Sequence, residues 1–332
     1  MDKRIPVTII TGFLGSGKTT LLNELIQRYP EKKLAIIENE FGELGIDQDL
    51  VIRGEDQIFE LSNGCICCNL NDELIDTLAK LLNGNYEFDH LVIETTGIAE
   101  PDAIAAAFVA DESIQAYFQL DAVICLADAQ YTLESLAERE EAKRQLAFAD
   151  LILLNKKSTA STEQLAKTKA GLKKLNPLAE IIEADYGKTE RNLLALQAYA
   201  FASVEAKLKA QHQPKSCSHG SHHHHHHEQG ELVTHSFIFD QPFDLLKLRH
   251  WLQVLLMLQG EGIYRVKGVL SIQWQDKKMI LQSVRKSFAL QLGEDWPEDK
   301  PRQSRIVFIG KNLRKDILEK SLKQLLALET SF

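Results

Sequence analysis

Hydrophobic positions in the first 200 residues fall into two alternating textures. Short apolar runs occur at 7–10 (VTII), 34–37 (LAII), 91–94 (LVIE), 122–127 (AVICLA), 151–154 (LILL) and 180–182 (EII). Amphipathic or Ala/Leu-rich stretches of helical length lie between them, at 19–29, 71–82, 101–110, 133–148 and 162–175. The runs are continuously apolar rather than alternating, which is the pattern of strands covered on both faces. Strand–helix–strand repetition of this kind predicts an α/β fold, a parallel sheet with helices on both faces, over a first domain at 1–205.

The texture then changes. Residues 210–231 read AQHQPKSCSHGSHHHHHHEQGE, polar and without periodicity, so 206–231 is expected to be a flexible His-rich linker. Beyond it, 232–240 reads as a strand, 244–260 as a helix ended by Gly260, 263–274 and 277–290 as two strands, 304–310 as another strand and 314–328 as a closing helix. Residues 232–332 are therefore expected to form a smaller α+β domain with a mostly antiparallel sheet. No internal repeat is visible.

Composition narrows the function classes. The 332 residues carry 47 Asp and Glu against 38 Lys and Arg, an acidic balance that disfavours nucleic acid as a partner. No signal-peptide run opens the chain, and no stretch approaches the roughly 20 apolar residues of a membrane helix. A cytoplasmic location with no membrane partner is expected, and thiols stay reduced there. Oligomeric state is not readable.

The sharpest chemical signal is Gly12-Phe13-Leu14-Gly15-Ser16-Gly17-Lys18-Thr19, which fits G-x-x-x-x-G-K-[ST] between an expected strand and an expected helix. Glycines at 12, 15 and 17 let backbone N–H groups wrap an anion, and the start of the following helix adds its positive end. Gly12, Gly15, Ser16, Gly17, Lys18, Thr19 and Thr20 form the expected nucleotide-binding set. Lys18 is expected to reach the β/γ-phosphates, and the Thr19 hydroxyl to hold Mg²⁺. Glu94 ends a neighbouring strand and is the second expected Mg²⁺ ligand. Gly97, three residues on, offers an N–H to the γ-phosphate, as in the D-x-x-G switch of GTPases with Glu for Asp. Asn155 and Lys156 resemble the start of the guanine-reading N-K-x-D. The fourth position is Ser158, a hydroxyl that cannot offer a bidentate anionic acceptor, so GTP against ATP stays open.

Three of the five cysteines, Cys65, Cys67 and Cys68, fall within four positions. A disulfide does not suit a reducing compartment, and a nucleophile would want a histidine, of which only His90 could approach through the fold. Core packing competes, but Asn63, Gly64, Asn69 and Asn71 read as a turn before a helix capped near Asn71. Metal ligation fits best: thiolates favour Zn²⁺, Cu(I) or an iron–sulfur cluster, and three ligands leave an open position. Glu38 and Glu43, in a carboxylate-rich loop, are the expected additional ligands. His222, His223, His224, His225, His226 and His227, with His219, form an auxiliary tract suited to weak exchange of Zn²⁺, Ni²⁺ or Co²⁺.

GFLGSGKTT at 12–20, ENEFGE at 38–43, NGCICC at 63–68 and ETTGIAEP at 94–101 together resemble the CobW family of P-loop metallochaperone GTPases. The resemblance extends through the His-rich tract into the second domain. It implies a P-loop NTPase sheet with a CobW-type C-terminal domain, and GTP and Mg²⁺ served by Lys18, Thr19 and Glu94. It also implies a transferable metal, usually zinc, on Cys65, Cys67 and Cys68, handed to a client metalloprotein. A P-loop kinase acting on a small molecule, whose lid would draw on Arg139 and Arg144, and a non-catalytic His/Cys metal buffer are the alternatives.

Overall fold

The computed structural model describes residues 4–38, 57–60, 66–84, 87–97, 100–199, 201–211, 232–298 and 301–327. The chain divides into two compact units, Met1–Ala198 and Tyr199–Phe332.

The first unit runs β1 (Ile5–Gly12), α1 (Lys18–Arg28), β2 (Leu34–Glu38), β3 (Gln57–Glu60), α2 (Ile66–Asn83), β4 (His90–Glu94), α3 (Pro101–Ala110) and α4 (Glu112–Gln115). It continues β5 (Phe118–Asp128), α5 (Thr132–Glu138), α6 (Glu140–Phe148), β6 (Leu151–Asn155), α7 (Thr162–Leu175) and β7 (Glu180–Glu183). Among the described residues these strands form one sheet of seven, ordered β3-β2-β4-β1-β5-β6-β7. Every pairing in it is parallel. Val7, Thr8, Ile9 and Ile10 are all 0% exposed; because successive side chains point to opposite faces, both faces of β1 are covered.

The six expected strands are all present. The seventh, β3, has only Ile58 and Phe59 as an apolar run and lies at the sheet edge. The single helix expected at 133–148 is two: Arg139 is extended (φ −122°, ψ 117°), and Glu140 and Glu141 start α6 afresh, where acidic side chains suit the positive helix end. The helix expected from Asn71 begins earlier, at Ile66.

Two buried polar side chains fasten this unit. Asn176, 0% exposed, donates from Nδ2 to the carbonyls of Leu146, Ala147 and Ala149 and accepts from the N–H groups of Leu178 and Ala179. It satisfies the end of α6 and the turn into β7 at once. His90 opens β4 and its Nε2 lies 2.9 Å from Thr8 Oγ1. Burial, and secondarily Lys32, pushes its pKa down from 6.5 to about 4.

The second unit contains α8 (Phe201–Gln211), β8 (Leu232–Phe239), α9 (Leu245–Gln259), β9 (Ile263–Leu270), β10 (Lys277–Val284), β11 (Ser287–Asp295), β12 (Ser304–Lys311) and α10 (Lys315–Gln324). Its sheet is ordered β11-β10-β9-β12-β8 and is antiparallel throughout. The run expected as one strand at 277–290 is the hairpin of β10 and β11, turning at Arg285 (φ 54°). Leu248, Leu252 and Leu256 of α9 and Leu318 and Leu322 of α10 build the core with Phe237, Phe243 and Phe308. Asp244 caps α9 by accepting from Leu246 and Lys247 N–H.

Residues 206–211, expected as linker, close helix α8, which packs on β9 and β12. There the sheet presents Arg265, Lys267 and Lys278, each no more than 3% exposed. Arg265 and Lys267 lie over the Tyr199 ring, and Lys278 pairs with Glu205 at 2.8 Å. The rest of the expected linker, 212–231 with the His tract, lies outside the described residues.

Two stability predictions follow from these polar contacts. Asn176→Ala should lower the unfolding free energy by about 3 kcal/mol, because it strands several buried backbone groups; chemical denaturation reads this directly. The unfolded imidazole of His90 takes a proton near pH 6.5 and the folded one only near pH 4. Its contribution to stability is therefore complete above pH 6.5 and lost as pH falls through that window. Urea midpoints at pH 7.5, 5.5 and 4.5 should show this slope, and His90→Asn should remove its share.

Candidate nucleotide and metal site

In a parallel sheet every strand ends at the same edge, and the loops there carry the ligands. β1 ends in Gly12, and α1 begins at Lys18 directly after the glycine-rich turn. Gly12, Gly15 and Gly17 have φ of 142°, 75° and 103°, conformations that L side chains rarely adopt. Gly17 is doubly constrained, since a Cβ there would stand 2.5 Å from Asn155 Nδ2.

The turn is held from behind. Asn155, 1% exposed at the end of β6, donates from Nδ2 to Ser16 O at 3.0 Å and accepts from Gly187 N–H at 3.1 Å. Lys156, in the left-handed region at φ 57°, donates to Gly15 O at 2.7 Å and pairs with Asp128 at 2.8 Å. Asp128 also accepts from the N–H groups of Gln130 and Tyr131. Asn155 thus ties loops together rather than pointing at a ligand alone. Asp128 is a brace that the sequence reading passed over; its place at the end of the AVICLA run was the available signal.

The inner side of the turn has the features of an anion site. The N-terminus of α1 has no side-chain cap, and Ser16 Oγ is buried with no hydrogen-bond partner. Lys18, 9% exposed, donates to Gly12 O at 3.0 Å. Helix N–H groups, an unsatisfied hydroxyl and an ammonium held at the turn fit phosphate oxygens. Thr19 is half-buried in the first turn of α1. Glu94 stands beside Ile10 in the register of β4 on β1. A hydroxyl and a carboxylate are the oxygen donors that suit Mg²⁺.

The turn after β4 is clamped to β1: Thr95 N–H donates to Ile10 O and its hydroxyl to Thr11 Oγ1. Gly97 then lies against the P-loop, where a Cβ would stand 2.7 Å from Leu14 N, and its carbonyl accepts from Gln145 Nε2 at 3.0 Å. A cavity of about 280 Å³ beside the turn is lined by Leu14, Ser16, Cys125, Asp128, Gln145 and Lys156, among others. The Cys125 thiol there is pushed up to about 12 by burial, with Lys18 opposing, and is no nucleophile. Arg144, one of the two arginines on which the kinase alternative would draw, pairs with Glu100.

The metal-binding residues expected from sequence are only partly covered. Cys65 and Glu43 lie outside the described residues. Cys67 and Cys68 fall in the first turn of α2, which starts at the ligand edge, six residues after β3 ends. Glu38 is described: it ends β2 and is the register partner of Glu94 on one side and of Glu60 on the other. Glu60 was not singled out from sequence, because β3 itself was not. Among the described residues no three His, Cys, Asp or Glu side chains gather as a metal site. His90 lies at the opposite edge of the sheet, at the start of β4, and so cannot serve a thiol at the ligand edge. Among the described residues no helix is long and apolar enough to cross a membrane.

A doubly covered parallel sheet with a glycine-rich turn between its central strand and α1 defines a P-loop nucleotide-binding protein. The chain belongs to the CobW/HypB/UreG nucleotide-binding domain family, matched over residues 6–183, and carries a cobalamin synthesis protein cobW C-terminal domain over 232–326. It is 33% identical over 310 residues to the zinc chaperone YjiA of Escherichia coli, covering 92% of this chain and 94% of that protein. It is 31% identical over 348 residues to the zinc-regulated GTPase metalloprotein activator 1 of Schizosaccharomyces pombe, covering 94% and 83%. The crystal structure of Zn(II)-bound YjiA GTPase superposes with a TM-score of 0.72 at 27% identity, over 98% of this chain and 100% of that one.

The close approach of Gly97 to the P-loop makes a specific prediction. Gly97→Ala must displace the backbone at Leu14, and should weaken nucleoside triphosphate binding by about tenfold or more while leaving the melting temperature within a few degrees. Titration with a fluorescent nucleotide beside a thermal melt checks both.

Proposed function

We propose that this chain is a GTP-hydrolysing zinc chaperone, which holds one Zn²⁺ at Cys65, Cys67 and Cys68 and yields it to a client metalloprotein when GTP is hydrolysed. The observation that carries the reading is one of placement. The P-loop leaves β1, and the helix bearing Cys67 and Cys68 starts at the same sheet edge, with Glu94 and Glu38 on the two strands between β1 and β3. Three strand spacings, about 14 Å, separate the two ends of this row. Relatives named as zinc chaperones and as a zinc-regulated GTPase support the reading.

In this scheme Lys18 leaves Gly12 O for the β/γ-phosphates and neutralises charge developing in the transition state. Thr19 and Glu94 hold Mg²⁺, which supplies further neutralisation when bound. Gly97 N–H receives the γ-phosphate, and its carbonyl stays fixed by Gln145. Contacts to the γ-phosphate order segments 38–47 and 63–68 around the metal, and hydrolysis removes them. Glu38 and Glu43 complete the zinc ligands with the thiolates, and His219 and His222 to His227 serve as a weaker collecting arm that takes Zn²⁺, Co²⁺ or Ni²⁺. Reduced thiols fit a cytoplasmic site of action.

One solved relative is a Zn(II)-bound YjiA triple mutant with one glutamate and two cysteines replaced by alanine, so total zinc uptake is a poor assay for a single site. The experiment is a chelator-competition titration of the full chain with GDP or a non-hydrolysable GTP analogue. The analogue should tighten the high-affinity zinc site at least tenfold over GDP, and Cys67→Ser should weaken it by on the order of a hundredfold without altering nucleotide affinity measured in the absence of zinc. Deleting residues 217–227 should leave that site in place. Zinc affinity indifferent to both the nucleotide and the Cys67 substitution would refute the reading. Loss of most capacity on the deletion would favour a metal buffer.

A further inference from the structure

The N-K-x-D pattern lacks its acid, since Ser158 stands where the aspartate belongs. The fold brings an aspartate there from elsewhere. Ser158 sits in a 3₁₀ turn, Lys157–Thr159, and both its N–H and its hydroxyl donate to Asp185 Oδ1, at 3.0 and 2.9 Å. Asp185 follows β7, in the adjoining loop. The two loops are fastened on either side of that contact. Lys157 N–H donates to Ala184 O at 3.1 Å, and Gly187 N–H to Asn155 Oδ1. Ala184 N–H in turn donates to Leu154 O, so the loop is anchored to the end of β6.

We infer that Asp185, oriented by Ser158, is the residue that makes the nucleotide pocket selective for guanine. The inference rests on the GTP reading proposed above and adds the specificity-determining residue to it. Guanine presents two adjacent donors, N1–H and the 2-amino group. The Asp185–Ser158 pair offers two matching acceptors: the carboxylate, and the serine oxygen, whose lone pairs stay available while its proton goes to Asp185. Adenine presents a lone pair at N1 instead of a proton, so the same carboxylate repels it. A buried or fixed acceptor left unpaired by the wrong base is what gives such sites their discrimination. The acid lies 27 residues from the motif in sequence, which is why the motif alone reads as defective.

The chemistry supplies its own control. Xanthine keeps N1–H but has a carbonyl in place of the 2-amino group. An asparagine at the acid position can accept from N1–H and donate to that carbonyl. The test measures binding of GTP, ATP and xanthosine triphosphate to the full chain and to its Asp185→Asn variant, by displacement of a fluorescent GDP analogue. The wild-type chain should prefer GTP over both competitors. The variant should lose at least tenfold in GTP affinity and gain at least tenfold for xanthosine triphosphate, and the gain shows that the pocket remains folded. An unchanged ratio of GTP to xanthosine triphosphate, or an equal loss for all three nucleotides, overturns the role of Asp185 while leaving the GTPase reading standing. A wild-type chain that binds ATP as tightly as GTP overturns the GTP reading and the inference with it.

Discussion

The amide of Asn155 is the fixed point of the nucleotide-binding edge. A P-loop must turn its N–H groups inward toward an anion, which turns backbone carbonyls outward into protein. Those carbonyls need donors, because a buried unsatisfied carbonyl costs about as much as a lost hydrogen bond. Asn155 supplies one to the buried Ser16 carbonyl, Lys156 adds another to Gly15 O at the surface, and the Asn155 oxygen takes Gly187 N–H. One side chain therefore spans the P-loop, β6 and the loop after β7. Gly17 is fixed by the same contact, since any side chain there would displace the amide. The loop is organised from its outer side, and what is left unsatisfied on the inner side, the Ser16 hydroxyl and the uncapped start of α1, is what a phosphate can satisfy.

Parallel pairing converts that local arrangement into a line of sites. Glu94 and Glu38 end adjacent strands in register, Glu60 ends the next, and the helix with Cys67 and Cys68 begins beside it. The reading proposed above places Mg²⁺ at one end of this line and Zn²⁺ at the other. His90, on the same strand as Glu94, lies at the opposite edge, where it contacts Thr8.

Much of this was legible in the sequence, for a physical reason. Strands buried on both faces must be continuously apolar, so six of the seven were visible, and a P-loop cannot be built without its glycines and lysine. The edge strand β3 carries only two apolar residues and escaped notice. So did α8, whose partners on the sheet include buried cations rather than an apolar surface alone: its Glu205 and the nearby Tyr199 cover Lys278, Arg265 and Lys267, an arrangement that gives a helix little apolar periodicity to read. The start of α2 was set five residues late because asparagines near 69–71 read as a cap. Asp128 and Asp185 were missed for a different reason. Each matters through a partner distant in the chain, Lys156 in one case and Ser158 in the other, and only the fold brings them together.

The magnitude of the proposed coupling constrains how it can work. Shifting a metal site from almost wholly held to almost wholly released takes a difference of about 5.5 kcal/mol between the two nucleotide states. One hydrogen bond to a charged phosphate, such as Gly97 N–H can offer, is worth about 1.5–3 kcal/mol. Gly97 alone is therefore insufficient, and it is also poorly placed to act alone. Its carbonyl is held by Gln145 and its Cα lies against Leu14, so it is a rigid relay rather than a hinge. The remainder has to come from a segment that gains several contacts at once, or from the client. A client offering its own thiolates or imidazoles competes with the proposed carboxylate ligands, which are harder donors than zinc favours, and draws the metal away once the nucleotide-dependent grip has weakened. On this accounting hydrolysis supplies part of the release and the acceptor supplies the rest, which makes delivery selective: without a client the metal stays bound.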